Sequence, residues 1–425
     1  MKCMPYWRDT APVFADGAAL PDGAHFDVAV VGAGFTGLSA ARSLALSGAR
    51  VVVLEAERVG HGGSGRNGGH LNNGLSHSYL DAVERFGPHK AKALYETFDH
   101  SIKTIERIVE EEGIDCSFRR SGKLKLASKP AHFKALQRNF DALHKAVDTD
   151  TAILGPNDLE AEVRGGPFHG GLLYKKSAMM HMGRFVTGLA EAVHRKGGVI
   201  VENAAVTGRR RDAAGHILTT PAGTVAAREV ILATGAYTRG PFGYFRRRVI
   251  PVGSFVIATR PLSDEEIAAT LPGRRTYVTS MNVGNYFRLS PDNRLLFGGR
   301  ARFTADANIE ADRVSADILR KSLGTLFPSL ADVTVDYCWG GLVGMTKDRL
   351  PRAGFADGVH FAMGYSGHGA QLSVHMGEVL ADIVNGRADC NPLDGLAWPA
   401  VPGHFGRPWF LPAVGAYYKM KDRLG

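Results

Sequence analysis

Residues 26–31, FDVAVV, are almost wholly apolar, as a strand buried on both faces requires. An alanine- and leucine-rich stretch from Gly37 to Leu46, closed by Gly48, predicts a helix, and Val51–Leu54 a second buried strand leading to Glu55. From about Ser78 to Leu143 the chain is charged, with Ile102, Ile105, Ile108 and Val109 at helical spacing. GKLKLAS, near Gly122, interrupts it with strand-like alternation. Residues 167–174 read as a turn and strand, and 182–196 as a helix with Phe185, Val186, Leu189 and Val193 on one face. Residues 199–206 and 229–234 (EVILAT, before Gly235) return to buried strands.

From Phe245 to about Val335 the texture is β-rich and antiparallel. YFRLSPDNRLLFGG predicts a hairpin turning at Ser290, Pro291, Asp292 and Asn293. Period-two alternation puts Tyr286 and Arg288 on one face, Phe287 and Leu289 on the other. Residues 311–326 predict a helix, 359–363 a strand, 364–369 a glycine loop and 371–384 a helix stopped at Gly386. Residues 1–25 are a Pro- and Gly-punctuated lead-in, and nothing repeats.

Gly32, Gly34 and Gly37 form G-x-G-x-x-G between the first strand and its helix. Gly32 permits a tight turn, Gly34 lets a pyrophosphate approach the backbone, and Gly37 lets helix and strand pack closely. Glu55 can accept hydrogen bonds from ribose hydroxyls. Strand, helix, strand and acid in register predict a dinucleotide site; a glycine-rich turn of another α/β unit is the alternative. The stretch GHGGSGRNGGHLNNG, residues 60–74, is too rich in glycine for a regular element. A loop pressed against a flat or phosphorylated ligand explains it, with a flexible linker as the alternative. The expected architecture is α/β (α+β overall): a Rossmann-like domain from residues 1–80, 171–244 and 336–425, interleaved with a substrate domain from 81–170 and 245–335 on a mixed, mostly antiparallel sheet.

The 425 residues, 44% hydrophobic and 22% charged, suit a globular protein with a large core. The net charge of +9 is spread thinly, densest at residues 209–211 and 246–248, without a basic helix or interleaved aromatics. No nucleic-acid partner is expected; mild steering of anionic ligands is. Four cysteines lacking CxxC or metal-ligand spacing predict reduced thiols, no metal and a cytoplasmic setting. Pro5, Trp7, Arg8 and Asp9 do not read as a secretory signal, and no run approaches the ~20 apolar residues of a spanning helix. The tail PWFLPAVGAYYKMKDRL, apolar then basic, reads either as an interfacial helix or as one docked on its own domain.

In order, VVGAGFTGLSAA with Glu55, GGSGRNGG, YFRLS…RLLFGG and WGGLVGMTKDRLP…GYSGHGAQLS resemble the D-amino-acid-oxidase-type superfamily of FAD-dependent amine oxidoreductases over nearly the whole chain. Within it the chain is most similar to the γ-glutamylputrescine oxidase group, which shares SGRNGG, YFRL and WGGL. The resemblance implies FAD, with Gly32, Ala33, Gly34, Phe35, Thr36, Gly37, Glu55 and Ala56 on its ADP half. It puts Gly63, Ser64, Arg66, Asn67 and Gly68 along the pyrophosphate and ring, Val206 at the adenine, and Thr234 and Gly235 beside the phosphates. Gly364, Ser366, Gly367, His368 and Gly369 fall at the isoalloxazine, and Gly344 and Gln371 are further cofactor-binding candidates. A glycine loop entering a helix aims free N–H groups and a positive dipole at its ligand, which would stabilise a reduced, anionic flavin. Two positions depart from the sarcosine-oxidase branch. Gln371 replaces the lysine that there follows G-H-G-x, and Gly341 stands where that branch links flavin to cysteine, with Cys338 out of step. Non-covalent FAD is implied.

The implied reaction moves a hydride from the carbon bearing an amine to flavin N5; the imine hydrolyses and oxygen reoxidises the flavin, giving hydrogen peroxide. The partners are then a small amine or amino-acid substrate and oxygen or another electron acceptor. A dehydrogenase serving a quinone or carrier, a flavin-binding subunit that needs a partner, and an NAD-binding module are the alternatives. Arg288, with Tyr286 beside it, is the first choice for a substrate carboxylate, since its planar fork suits one; an ordinary ion pair is the other reading. His368 either tunes the flavin and shuttles a proton or makes a structural hydrogen bond. His181 resembles a family segment before the long helix, but also reads as a packed core histidine. Trp339 and Met345 read as cavity roof or core, and Lys347 as an aid to oxygen reduction or a solvated side chain.

Overall fold

The computed structural model describes residues 1–20, 23–299, 303 and 313–424. One sheet orders its strands Arg352–Ala356, Val359–Met363, Gly223–Leu232, His25–Val31, Val51–Leu54 and Val199–Val201. All neighbours on that path are parallel except the edge pair. A hairpin of Gly208–Asp212 and Gly215–Thr220 extends it from Gly223–Leu232. Val51–Leu54 and Val359–Met363 are buried along their whole length, which is why the central strands read as unbroken apolar runs.

Helices Phe35–Leu46 and Gly369–Val384 each leave the end of a parallel strand and lie side by side. Ser39 Oγ donates to Val374 O at 2.7 Å, and a Cβ on Gly377 would stand 2.6 Å from Thr36 O. Two helices following parallel strands present their N-termini at the same end of the sheet, where ligands of such folds collect.

The second sheet runs Val335–Met345, Ile250–Pro261, Arg294–Gly299, Asn285–Leu289, Thr276–Thr279, Lys123–Leu126, Gly171–Tyr174, Thr151–Leu154. It is antiparallel except where Thr276–Thr279 meets Lys123–Leu126. Its far face buries Leu124, Leu126, Tyr277, Phe287 and Phe297 against Ala316, Leu319 and Leu323 of helix Arg313–Leu326. Tyr277, Phe287 and Phe297 stack in series, with centroids 5.2 and 5.8 Å apart.

The hairpin turns at residues 290–293 as the pattern predicts, between Asn285–Leu289 and Arg294–Gly299. Residues 311 and 312 of the predicted helix lie outside the described residues. Two domain boundaries move. Gly171–Tyr174 pairs with Lys123–Leu126, and Val335–Met345 pairs with Ile250–Pro261, so both belong to the substrate sheet and not to the segments beginning at 171 and 336. An apolar strand looks the same in either sheet; only its pairing assigns it. The strand predicted over 199–206 stops at Val201, just before Asn203 takes a left-handed φ of 56°.

The tail forms helix Leu411–Leu424 and docks on the chain itself. Asp422 accepts the N–H groups of Asn282 and Val283 at 2.9 and 2.8 Å, and Lys129 Nζ donates to its carbonyl at 2.6 Å. The interfacial reading of the tail gives way to docking. Among the described residues no helix is long and apolar enough to cross a membrane. Cys3, Cys116 and Cys390 are thiols outside any disulfide.

Candidate active site

A cavity of about 1350 Å³ is lined from both sheets. At its nucleotide end the backbone supplies the shape. Gly32 has φ 106°, and a Cβ on Gly37 would fall 2.0 Å from Gly32 O, so helix and turn could not approach if either carried a side chain. Gly34 caps its helix without a side chain, while Phe35 N–H donates to Ser64 Oγ at 2.9 Å. Glu55 is held by Ala33 N–H on Oε2 at 2.7 Å and Glu57 N–H on Oε1 at 3.0 Å. Burial pushes its pKa up, against those two bonds. Ala56, Val206, Thr234 and Gly235 line the same end. Gly37 and Ala33 do not; they shape the turn from behind.

The glycine-rich stretch is a folded loop and not a linker. Arg66 donates to His61 O at 2.8 Å and Gly340 O at 3.0 Å, and Asn67 Nδ2 donates to Ser64 O at 2.8 Å. Gly63, Ser64, Arg66, Asn67 and Gly68 all face the cavity. Trp339 does not roof it; its Nε1 donates to Arg66 O at 2.9 Å and so braces the loop from outside. Met345 also lies off the lining, whereas Gly344 is on it.

Helix Gly369–Val384 opens into the other end through Gly364, Ser366, Gly367 and His368. Its N-cap, His368, makes no side-chain cap, and its first turn holds no acid. Among the described residues His368 Nδ1 is buried without a hydrogen-bond partner, and burial pulls the pKa down to about 3, so the imidazole is neutral. Burial therefore works against the expectation of a proton shuttle at His368. Gln371 does not reach the cavity: its amide donates to Asn72 O at 2.6 Å, pinning the glycine-rich loop to this helix.

On the substrate wall Tyr286 lines the cavity, with its hydroxyl 3.3 Å from Ser254 Oγ. Arg288 shares its face but is sealed below it. Nη1 donates to Gly69 O at 2.6 Å and Met180 O at 3.1 Å, Nε to Leu289 O at 3.1 Å, and Trp7 lies 5.3 Å beneath the guanidinium. With those bonds to main chain and the cavity elsewhere, the expectation of a substrate carboxylate at Arg288 is corrected. His181 is corrected likewise. It caps helix Met182–Arg195 by accepting Arg184 N–H at 3.1 Å, and packs between Tyr6 and Trp7. Lys347 is exposed and off the cavity. Lys123 and Lys125, which belong to no recognisable motif, do line it. The signal was present in the alternation of KLKL, which sends two lysines to one face of a strand.

The donor set fits FAD. Two helix N-termini without acids in their first turns open onto one cavity, one entered past a glycine cradle that any Cβ would fill. The family model described as DAO, FAD dependent oxidoreductase, matches residues 27–383. Gamma-glutamylputrescine oxidoreductase of Escherichia coli (strain K12) is 34% identical over 428 residues, spanning 99% of this chain and 98% of that protein. The probable oxidoreductase OrdL of Haemophilus influenzae is 33% identical, over 94% and 92%. In fold the chain resembles glycine oxidase from Geobacillus kaustophilus, with a TM-score of 0.74 and 24% identity over 90% of this chain and 99% of that one. The chain belongs to the DAO family of FAD-dependent oxidoreductases and is an enzyme acting on amine or amino-acid C–N bonds.

Proposed function

We propose that the enzyme oxidises a primary amine related to γ-glutamylputrescine, with oxygen as acceptor: RCH2NH2 + O2 + H2O gives RCHO + NH3 + H2O2. The observation that carries this reading is the helix N-terminus of Gly369–Val384, uncapped by any acid and opening onto the same cavity as the glycine cradle. The full-length likeness to a γ-glutamylputrescine oxidoreductase supports the substrate.

Bound FAD supplies the two-electron acceptor. The chain does the rest. The turn around Gly32 and the start of helix Phe35–Leu46 would hold the pyrophosphate, and the oriented carboxylate of Glu55 would receive ribose hydroxyls. The dipole of Gly369–Val384 favours the negative charge gained on reduction. Neutral His368 offers Nδ1 without adding a charge. Tyr286 and Val278 close the wall and exclude water. The reading includes FAD held without a covalent bond; Cys338, near the position where the sarcosine-oxidase branch attaches its flavin, packs into the far face of the substrate sheet.

Mixing the holoenzyme with amines in air tests the reaction. Peroxide formed in step with aldehyde is expected. Dye reduction without peroxide would move the electrons to a quinone or carrier, and neither product with any amine would overturn the reading. FAD released by acid precipitation checks the non-covalent attachment.

A further inference from the structure

The substrate wall carries two cations that a dinucleotide does not account for. Strand Lys123–Leu126 alternates, so Leu124 and Leu126 enter the core while Lys123 and Lys125 face the cavity. Lys123 is only 7% exposed; its Nζ donates to Asn73 O at 2.6 Å and stands 3.9 Å from the centre of the Tyr174 ring. The nearby acids make their direct contacts elsewhere, although Asp99 and Asp148 act through space on Lys123 and Asp81 on Lys125. Asp99 and Asp148 bind Lys176 at 3.1 and 2.8 Å, and Asp81 is tied into the cap of helix Tyr79–Glu112 by Ser78. Among the described residues neither cavity lysine has an ion-pair partner, and burial pushes both pKa values down, that of Lys123 to about 7. Two lysines on one strand face, each without a direct ion-pair partner, have their charged forms stabilised when an anion arrives between them.

We propose that Lys123 and Lys125 form the anion subsite of this enzyme and take the carboxylate of an amine substrate. The inference rests on the amine-oxidation reading and deepens it. It specifies an acidic amine, one bearing a carboxylate as well as the oxidised nitrogen, in preference to a plain diamine, and moves carboxylate recognition from Arg288 to this strand. Each lysine contributes a charge-assisted hydrogen bond, and Tyr174 fixes the direction of Lys123.

Glutarate, a dicarboxylate with no amine to oxidise, is the probe, titrated calorimetrically into the full-length holoenzyme. Lys123→Met and Lys125→Met should each weaken binding about tenfold or more, and Lys125→Arg should stay within about threefold. Flavin content and melting temperature confirm that each variant is folded. If a methionine variant fails to fold, the wild type still decides: it should prefer glutarate over the neutral glutaramide by about tenfold or more. Equal affinity for the two overturns the subsite, as does unchanged glutarate binding in folded Met variants or loss of FAD in place of glutarate. Failure of the underlying reading looks different. A holoenzyme that binds glutarate through these lysines but is reduced by no amine retains the subsite and loses the oxidation.

Discussion

Two strands of the substrate sheet carry buried cations that sequence pattern cannot tell apart. Arg288 on Asn285–Leu289 is 1% exposed and Lys123 on Lys123–Leu126 is 7% exposed. Arg288 donates hydrogen bonds to the main-chain carbonyls of Gly69, Met180 and Leu289. Lys123 makes one such bond, and burial pushes the pKa of Lys125 down against the charge of Asp81. A cation whose donors close on the backbone is architecture, because removing it takes a donor away from the carbonyls of three buried residues. A cation turned to a cavity with donors to spare is available to a ligand.

The strongest way to break this contrast is Arg288→Met. Loss of its bonds should cost about 3–5 kcal/mol of stability in denaturant unfolding, without weakening glutarate binding in the molecules that remain folded. A stable variant that loses carboxylate affinity would invert the roles. His181→Ala comes next: loss of the cap should cost about 1 kcal/mol and leave kcat/KM unchanged. Lys123 should behave in the opposite sense. Its folded pKa, about 7, lies below the ordinary 10.5, so between those values the unfolded chain binds the extra proton and stability rises with pH. Below about 7 both states are protonated and the term is constant. Lys123→Met should flatten that rise in melting temperature. Glutarate affinity should fall as pH climbs through about 7, with Lys125, Asp99, Asp148, Tyr174 and His368 as the ionisable groups around Lys123. The smallest effect belongs to His368→Asn. Because the imidazole is already neutral, the pH profile between about 5 and 8 should not change shape.

The nucleotide half was legible because its constraints are steric and local. Gly37 must lack a Cβ wherever a helix presses on a turn, and that requirement is written in three spaced glycines. The substrate half was not. Alternation correctly put Tyr286 and Arg288 on one face, but a face has depth, and Gly69 and Trp7 cover Arg288 from segments far away in sequence. KLKL announced a strand, yet nothing local said that strands would flank it on both sides and turn its lysines to a cavity instead of solvent. The same blindness to pairing misplaced Gly171–Tyr174 and Val335–Met345.

Anaerobic mixing of the yellow holoenzyme with γ-glutamylputrescine tests the central claim most directly, since it isolates electron transfer from the choice of acceptor. The visible flavin absorbance should bleach at a rate that saturates with substrate, faster at low concentration than with the carboxamide analogue. Flavin that dithionite reduces but that neither this amine nor any other bleaches would contradict the account.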